Sequence, residues 1–204
     1  MSNNRAKSPQ EEEYRVIRSQ LYWLCWTWQD YKELFSSEEN FDLMCRIVGG
    51  LANVIRVSML DGIQLDICAL TDPSESRNGN NLSLRRLLHW FRDSDQSADR
   101  IELLTRKLDE AVTASSRMRS RRNKLIAHFD RPTLLREDAE VIEWPTANEI
   151  ERVVRLLVDA MNLAESLLGK AIGEYEFDHF RDGSETLMAI LKDADREMPA
   201  DHSD

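Results

Sequence analysis

Glycine and proline are scarce in this sequence, with 7 Gly and 5 Pro among 204 residues. This is about half the share found in an average globular protein. Sandwiches and barrels need many tight turns and therefore many of these residues, so the composition disfavours an all-β class. Leu, Ala, Arg and Glu, which favour helices, are abundant instead. The composition predicts an all-α protein.

Cysteine is also scarce, and its spacing is uninformative for metal chemistry. Cys25, Cys45 and Cys68 lie about 20 residues apart in apolar helical context, with no CxxC or Cys/His spacing. A disulfide framework and a zinc site are both disfavoured. We expect buried reduced thiols, no bound metal and no cofactor.

Basic residues are outnumbered, with 27 Lys and Arg against 37 Asp and Glu, for a formal charge of −10. This balance disfavours wholesale coating of nucleic acid or of an anionic membrane. The most apolar stretch, residues 41–70, is interrupted by Arg46, Arg56, Asp61 and Asp66, so we expect no membrane span. The N-terminal segment lacks the apolar region of a signal peptide. These absences predict a cytoplasmic protein.

Capping motifs and apolar periodicity predict a bundle of five to six helices. Ser8-Pro9-Gln10-Glu11 and Thr146-Ala147-Asn148-Glu149 are typical helix starts. Gly49-Gly50 would permit a kink in the second helix. The predicted helices cover residues 9–35, 41–70, 84–91, 97–129, 146–170 and 184–193.

The connections and ends of the chain complete this prediction. Residues 71–82 are rich in Pro, Ser, Gly and Asn and predict a loop, and residues 133–145 predict irregular structure. We expect a single helical domain over residues 9–192, between a flexible N-terminus (1–8) and a disordered acidic tail (193–204).

The one segment with unusual chemistry is basic. Residues 115–131 hold six Lys or Arg and one Asp in a chain whose overall charge is −10. A local excess of this size favours an anionic ligand even where the whole molecule repels one. The cations are Arg117, Arg119, Arg121, Arg122, Lys124 and Arg131.

Helical phase sets Arg122 apart from its neighbours. The apolar stripe of the helix passes Met118 and then reaches Arg122, where an inward or interface residue is expected. A buried Arg is costly unless it meets an anion, a carboxylate or a partner chain. Arg121, seven residues before His128, is the competing partner of that histidine.

In α-helical geometry, Arg122, Leu125 and His128 share one ridge, with Arg122 and His128 about 9 Å apart along the axis. At this distance, Arg122 and His128 of one chain would not easily contact a single phosphate together. Two copies packed about a two-fold axis would bring the Arg of one near the His of the other.

Plain structural interpretations stand beside this one. A His near a helix C-terminus often binds the last carbonyls, helped by the helix dipole, and Asp130 with nearby Arg residues could form a solvated ion-pair network. The aromatic cluster Tyr22–Tyr31 could stack nucleic-acid bases, although aromatic residues at helical spacing more often form a core or a dimer interface.

The segment Arg122-Asn123-Lys-Leu-Ile-Ala-His128-Phe-Asp130 resembles the signature of HEPN domains. That signature is an Arg, a polar neighbour and a His a few residues later, near the end of a long helix. Together with Thr71-Asp72-Pro73 and Asn81-Leu82-Ser83-Leu84, it resembles the AbiU-type branch, which is linked to abortive-infection phage defence. The resemblance covers residues 15–170, approximately.

The resemblance implies an all-α bundle that forms a homodimer and acts as a metal-independent endoribonuclease, either a toxin or a phage-defence effector. Its partners would be RNA and an antitoxin or phage trigger. Some members are non-catalytic, so the alternative is a helical adaptor that binds RNA, another anion or a partner protein.

The resemblance also assigns residues to the site. Arg122, His128 and Asn123 would be catalytic, and Asp130 would be a possible orienting residue for His128. The remaining cations would hold the RNA backbone; they are Arg117, Arg119, Arg121 and Lys124.

Overall fold

The computed structural model describes residues 8–76, 79–91, 97–126, 142–173, 175 and 182–197. These residues are mostly helical, which confirms the predicted all-α class. The α-helices are α1 (Pro9–Phe35), α2 (Glu38–Val48), α3 (Gly50–Thr71), α4 (Leu84–Phe91), α5 (Ala98–Ala114), α6 (Ser116–Arg121), α7 (Ala147–Leu167) and α8 (Asp182–Glu197). A π-helix, π1 (Arg122–Ile126), directly continues α6.

The predicted capping residues begin their helices. The Oγ atom of Ser8 accepts from the backbone N–H of Glu11 at 3.2 Å. At α7, Thr146 and Glu149 form a complete capping box, in which each side chain accepts from the backbone N–H of the other. Each cap satisfies N–H groups that the first turn of a helix leaves without an intrahelical partner.

The predicted helix 41–70 is in fact two helices, α2 and α3. Gly49 separates them with a φ of +58°, a conformation that glycine adopts without the steric cost of a Cβ. Leu51 and Val54 of α3 are 54% and 60% exposed, although they lie in the most apolar stretch of the sequence.

The predicted loop 71–82 contains a minimal hairpin of β1 (Glu75–Ser76) and β2 (Gly79–Asn80), which pair in antiparallel fashion. The Nδ2 atom of Asn81 donates to the carbonyl oxygen of Pro73 at 2.7 Å. This hydrogen bond joins the beginning and the end of the connection between α3 and α4.

The predicted helix 97–129 is interrupted at Ser115, which caps the C-terminus of α5 and donates from Oγ to the carbonyl oxygen of Val112 at 3.0 Å. The apolar stripe predicted for this helix is nevertheless buried. Its buried members are Leu104, Leu108, Ala111, Ser115 and Met118.

The chain forms two compact units. Unit 1 comprises Met1–Leu24 and Gln64–Tyr175, and unit 2 comprises Cys25–Ile63 and Glu176–Asp204. In unit 1, α5 packs along α7, and α4 packs against both of them. The apolar residues of α7 that recur at helical spacing are buried in this core; they are Ile150, Val153, Val154, Leu157, Met161 and Ala164.

A fully buried carboxylate, Glu165 of α7, organises one end of unit 1. Its Oε1 atom accepts from the hydroxyls of Tyr14 at 2.8 Å and Tyr175 at 2.9 Å, and Nε of Arg18 lies 3.1 Å away. Its Oε2 atom accepts from the backbone N–H of Gly173 at 2.6 Å. Burial, with the neighbouring Glu165, raises the pKa of both tyrosines well above 10.0, so both hydroxyls stay protonated donors.

In unit 2, α2 packs against α8. The aromatic residues of α1 contribute Trp28, which is buried and stacks on Tyr31 with ring centroids 5.5 Å apart. One cluster of buried core residues in unit 2 consists of Leu34, Leu43, Met44, Ala52, Met188 and Leu191.

The helix α8 is longer than predicted, since it begins at Asp182 and continues to Glu197. Residues 193–197, which the sequence assigned to a disordered tail, are therefore helical, and Asp195 forms a two-bond ion pair with Arg46 of α2. Residues 198–204 lie outside the described residues, and the predicted extent of a single domain stays a prediction.

No disulfide joins the three cysteines, in agreement with the prediction of reduced thiols. Cys25 and Cys68 are buried, whereas Cys45 is half-buried.

Replacing the buried carboxylate should strongly destabilise unit 1. In Glu165→Gln, the amide NH₂ cannot accept a hydrogen bond, so one of the present donors loses its acceptor and Arg18 loses its counter-charge. We expect a loss of about 3 kcal/mol in the free energy of unfolding, measured by urea titration. The exposed Glu110→Gln on α5 is the matched control and should change it by less than about 0.5 kcal/mol. Equal stability of the two variants would contradict this account of Glu165.

Candidate functional site

The basic segment occupies α6 and π1, and its arginines divide between two faces. Residues three or four apart on a helix share a face, which pairs Arg117 with Arg121 and Arg119 with Arg122. The second pair faces the end of α3, and the first pair faces the coil before α7. We call these two groups the Asp72 cluster (Thr71, Asp72, Arg119, Arg122) and the Trp144 cluster (Arg117, Arg121, Glu143, Trp144, Glu149).

The Asp72 cluster is built on one carboxylate that binds two guanidinium groups. Nη1 of Arg122 donates to Oδ1 and Oδ2 of Asp72 at 3.1 and 2.8 Å. Nη1 of Arg119 donates to Oδ1 of the same carboxylate, and its Nη2 donates to Oγ1 of Thr71 at 2.7 Å. Oγ1 of Thr71 in turn donates to the carbonyl oxygen of Ile67 at 2.7 Å, so the network is anchored in α3.

The three charged side chains of this cluster are mostly shielded from water. Asp72 and Arg119 are each 24% exposed and Arg122 is 22% exposed. Ion pairs that are hydrogen-bonded and partly desolvated are stronger and better defined than surface pairs. Burial raises the pKa of the neighbouring Cys68 thiol, against an opposing effect of Arg122 and Arg119, so this thiol is protonated at neutral pH.

Asn123 completes the immediate surroundings of Arg122. It is exposed, and its Oδ1 atom accepts from Nε of Arg122 at 3.0 Å. Asp72 and Asn123 therefore engage Nη1 and Nε, two of the three nitrogens of the guanidinium. An arginine carries five N–H donors, so such a group can hold a carboxylate and an anionic ligand together.

In the Trp144 cluster, Arg121 lies beneath an aromatic ring. Cζ of Arg121 is 3.4 Å from the ring centroid of Trp144, and Arg121 is only 6% exposed. Nη1 of Arg117 lies 3.4 Å from Oε2 of Glu143, and its Nε lies 3.5 Å from Oε1 of Glu149. The hydrogen bond from the Thr146 backbone N–H lowers the pKa of Glu149, so this carboxylate is charged at neutral pH.

The structure corrects the expected orientation of Arg122. The sequence placed Arg122 at an inward or interface position, whereas in the structure Arg121 is the buried arginine and Arg122 is half-buried at an ion pair. The buried stripe continues across Ser115 to Met118 of α6, and the next buried position is Arg121, three residues after Met118, rather than Arg122. The carboxylate expected as one possible partner of Arg122 is that of Asp72.

The basic segment is also less strongly positive in the structure than its sequence predicted. Three carboxylates from distant positions lie against Arg117, Arg119 and Arg122, which reduces the positive potential available to an anionic ligand. Lys124 is half-buried in π1. The local net charge counted along the sequence therefore overstates the charge in space.

The ridge expected for Arg122, Leu125 and His128 assumed an α-helix through residue 128, and it stays a prediction because His128 lies outside the described residues. Residues 122–126 form π1, whose hydrogen bonds span five residues and whose turns hold more residues than α turns. Within π1, the side chains after Arg122 therefore differ in direction from those of an α-helix. Ala127, His128, Phe129, Asp130 and Arg131 lie outside the described residues.

Four residues of these clusters were not assigned a role from the sequence, namely Thr71, Asp72, Glu143 and Trp144. Thr71 and Asp72 belonged to a segment quoted for the family resemblance, so co-occurrence with the Arg motif was an available signal. Trp144 had no such signal, because stacking on Arg121 depends on the path of the chain between them.

The described ranges contain no group of three His, Cys, Asp or Glu side chains placed to hold a metal ion. In the same ranges, no helix combines the length and the apolar character needed to cross a bilayer.

The all-α fold of the described residues is the fold that the resemblance to HEPN domains implied. A family model agrees: HEPN_AbiU2, described as AbiU2, matches residues 8–186, which is most of the chain. The chain therefore belongs to the AbiU2 family of HEPN domains. Comparison with curated proteins and with solved structures found no match.

The shared carboxylate of the Asp72 cluster predicts a measurable stability effect. Asp72→Asn keeps the shape of the side chain but removes the charge that two guanidinium groups share. We expect a loss of about 1–2 kcal/mol in the free energy of unfolding, measured by urea titration. Asp193→Asn is the control, because the ion pair of Asp193 with Arg196 is exposed on both sides, and it should change stability by less than about 0.5 kcal/mol. Indistinguishable variants would show that Asp72 does not hold the motif helix.

Proposed function

We propose that this chain is a metal-independent endoribonuclease that acts as a toxin or phage-defence effector and cleaves RNA through Arg122 and His128. The observation that supports the proposal is the hydrogen bonding of the Arg122 guanidinium to Asp72 and Asn123 at the start of π1. The chain also belongs to the AbiU2 family. Single π turns within helices are frequent at functional sites.

The chemistry is a transesterification within the RNA strand. The 2′-hydroxyl attacks the adjacent phosphorus, its proton passes to a base, and the 5′-oxygen leaves with a proton from an acid. His128 serves as the base or the acid, because the ordinary pKa of imidazole is close to neutral pH. The products are a 2′,3′-cyclic phosphate and a 5′-hydroxyl, and DNA resists because it lacks the nucleophile.

Arg122 stabilises the charge that develops on the phosphoryl oxygens. We assign this part to Arg122 rather than Arg121, because Arg121 is 6% exposed beneath Trp144 and Arg122 is 22% exposed. Asn123 acts by orienting Arg122, to which it is hydrogen-bonded. Asp130 would orient His128.

The remaining cations have different parts in this proposal. Arg119 holds Asp72 and thereby positions Arg122, while Arg121 supports Trp144. Arg117, which is 41% exposed, and Lys124 bind backbone phosphates, so RNA binding weakens as salt concentration rises.

We further propose that the active form is a homodimer, in which the motif helices of two copies face one RNA strand across a two-fold axis. An antitoxin or a phage-derived trigger would control this form, since an uncontrolled ribonuclease is toxic to its own cell.

The proposal predicts specific losses of RNA cleavage. Purified wild-type protein should cut total RNA in the presence of EDTA and leave 2′,3′-cyclic phosphate ends. His128→Ala should lower the cleavage rate by roughly 10²–10⁴-fold, as for a lost general acid or base. Arg122→Ala should lower it by roughly 10²–10³-fold, as for a lost charge-stabilising donor.

Two matched variants control for general effects of substitution. Arg155→Ala removes an exposed arginine of α7, and His202→Ala removes a histidine beyond the family match. Both should cleave at the wild-type rate. Loss of activity in EDTA would overturn the metal-independent mechanism. Folded wild-type protein that binds RNA without cutting it would instead favour the non-catalytic adaptor.

A further inference from the structure

Trp144 presents an aromatic ring beside the basic segment. The residue is 42% exposed, although large aromatic residues are usually covered. One face of the ring is covered by the guanidinium of Arg121, whose Cζ lies 3.4 Å from the centroid. That distance is a stacking contact, so the ring is held from one side and is accessible elsewhere.

The backbone that follows Trp144 is constrained by Pro145 and by the capped start of α7. Pro145 is buried and restricts Trp144 to extended conformations. Thr146 then caps α7, with its backbone N–H donating to Oε2 of Glu149 at 2.8 Å. A ring held by a stacked cation and by a capped helix start is a preorganised surface, which lowers the entropic cost of binding a flat ligand.

The position of this ring relates it to the cleavage site. Arg121 and Arg122 are consecutive residues, so one guanidinium supports Trp144 while the next lies in the Asp72 cluster. Arg117 faces the same coil as Arg121 and is 41% exposed. Cations that bind phosphates next to an exposed aromatic ring are the combination that single-stranded nucleic acid requires.

We propose that Trp144 is a base-stacking platform for single-stranded RNA, which rests on the proposed function because the same strand would reach Arg122. A nucleobase stacks on the accessible part of the ring, opposite Arg121. Stacking depends on the π face that every base has, so this contact adds affinity with little preference for sequence. Arg121 contributes as the support of the ring rather than as a phosphate ligand.

The test measures binding separately from cleavage. The probe is a fluorescein-labelled, short 2′-O-methyl oligouridine, which lacks the free nucleophile and is not cut. We expect Trp144→Leu to weaken its binding by roughly 5- to 100-fold, as for one lost base–aromatic contact. Trp144→Tyr, which keeps a stacking ring, should bind within about two-fold of wild type. Trp23→Leu, which removes a ring that is 61% exposed on α1, should bind as wild type does.

A second ligand separates base stacking from charge effects. With an abasic strand of the same length and charge, wild type and Trp144→Leu should bind equally. Equal binding of the oligouridine by wild type and Trp144→Leu, or an equal loss with the abasic strand, would overturn the platform. So would failure of the wild type to bind the oligouridine. Failure to cleave total RNA, with the Trp144 effect on binding intact, would overturn only the ribonuclease proposal.

Discussion

The carboxylate of Asp72 connects parts of unit 1 that are far apart in the sequence. It binds Arg119 and Arg122, which are 47 and 50 residues further along the chain. Thr71 extends the connection into α3 through the carbonyl oxygen of Ile67. The orientation of the motif arginine therefore depends on where α3 ends, and not only on the helix that carries it. A charged network of this kind fixes geometry more than it adds stability, because desolvation offsets much of the attraction.

The same arrangement gives four neighbouring arginines of the basic segment different contacts, in two pairs. The pair at positions 119 and 122 contacts Asp72, and the pair at 117 and 121 contacts the coil before α7. The transition from α6 to π1 at Arg122 changes the direction of the side chains within π1. In the proposed mechanism, one face presents a phosphate-binding arginine and the other presents a supported tryptophan. A single basic segment can thus address both the backbone and the bases of one strand.

Much of the fold could be predicted from the sequence, because helix starts and buried stripes are local properties. The capping box at Thr146 and the stripe from Leu104 to Met118 illustrate this. The break at Gly49 was foreseen only as a kink, since sequence shows where a positive φ is tolerated but not whether it is used. The Asp72 pairings and the stacking of Arg121 on Trp144 depend on contacts between distant segments, and π1 depends on the local hydrogen-bond pattern. The hydrophobic periodicity of the sequence indicates neither these long-range contacts nor the π-helix.

We expect Asp72 and Arg122 to be energetically coupled within the folded chain. The most direct test is a double-mutant cycle of Asp72→Asn, Arg122→Gln and the double variant, with the free energy of unfolding measured for each by urea titration. Because the two side chains share two hydrogen bonds, the account predicts a coupling of about 1–2 kcal/mol. Strictly additive effects, with a coupling indistinguishable from zero, would contradict it.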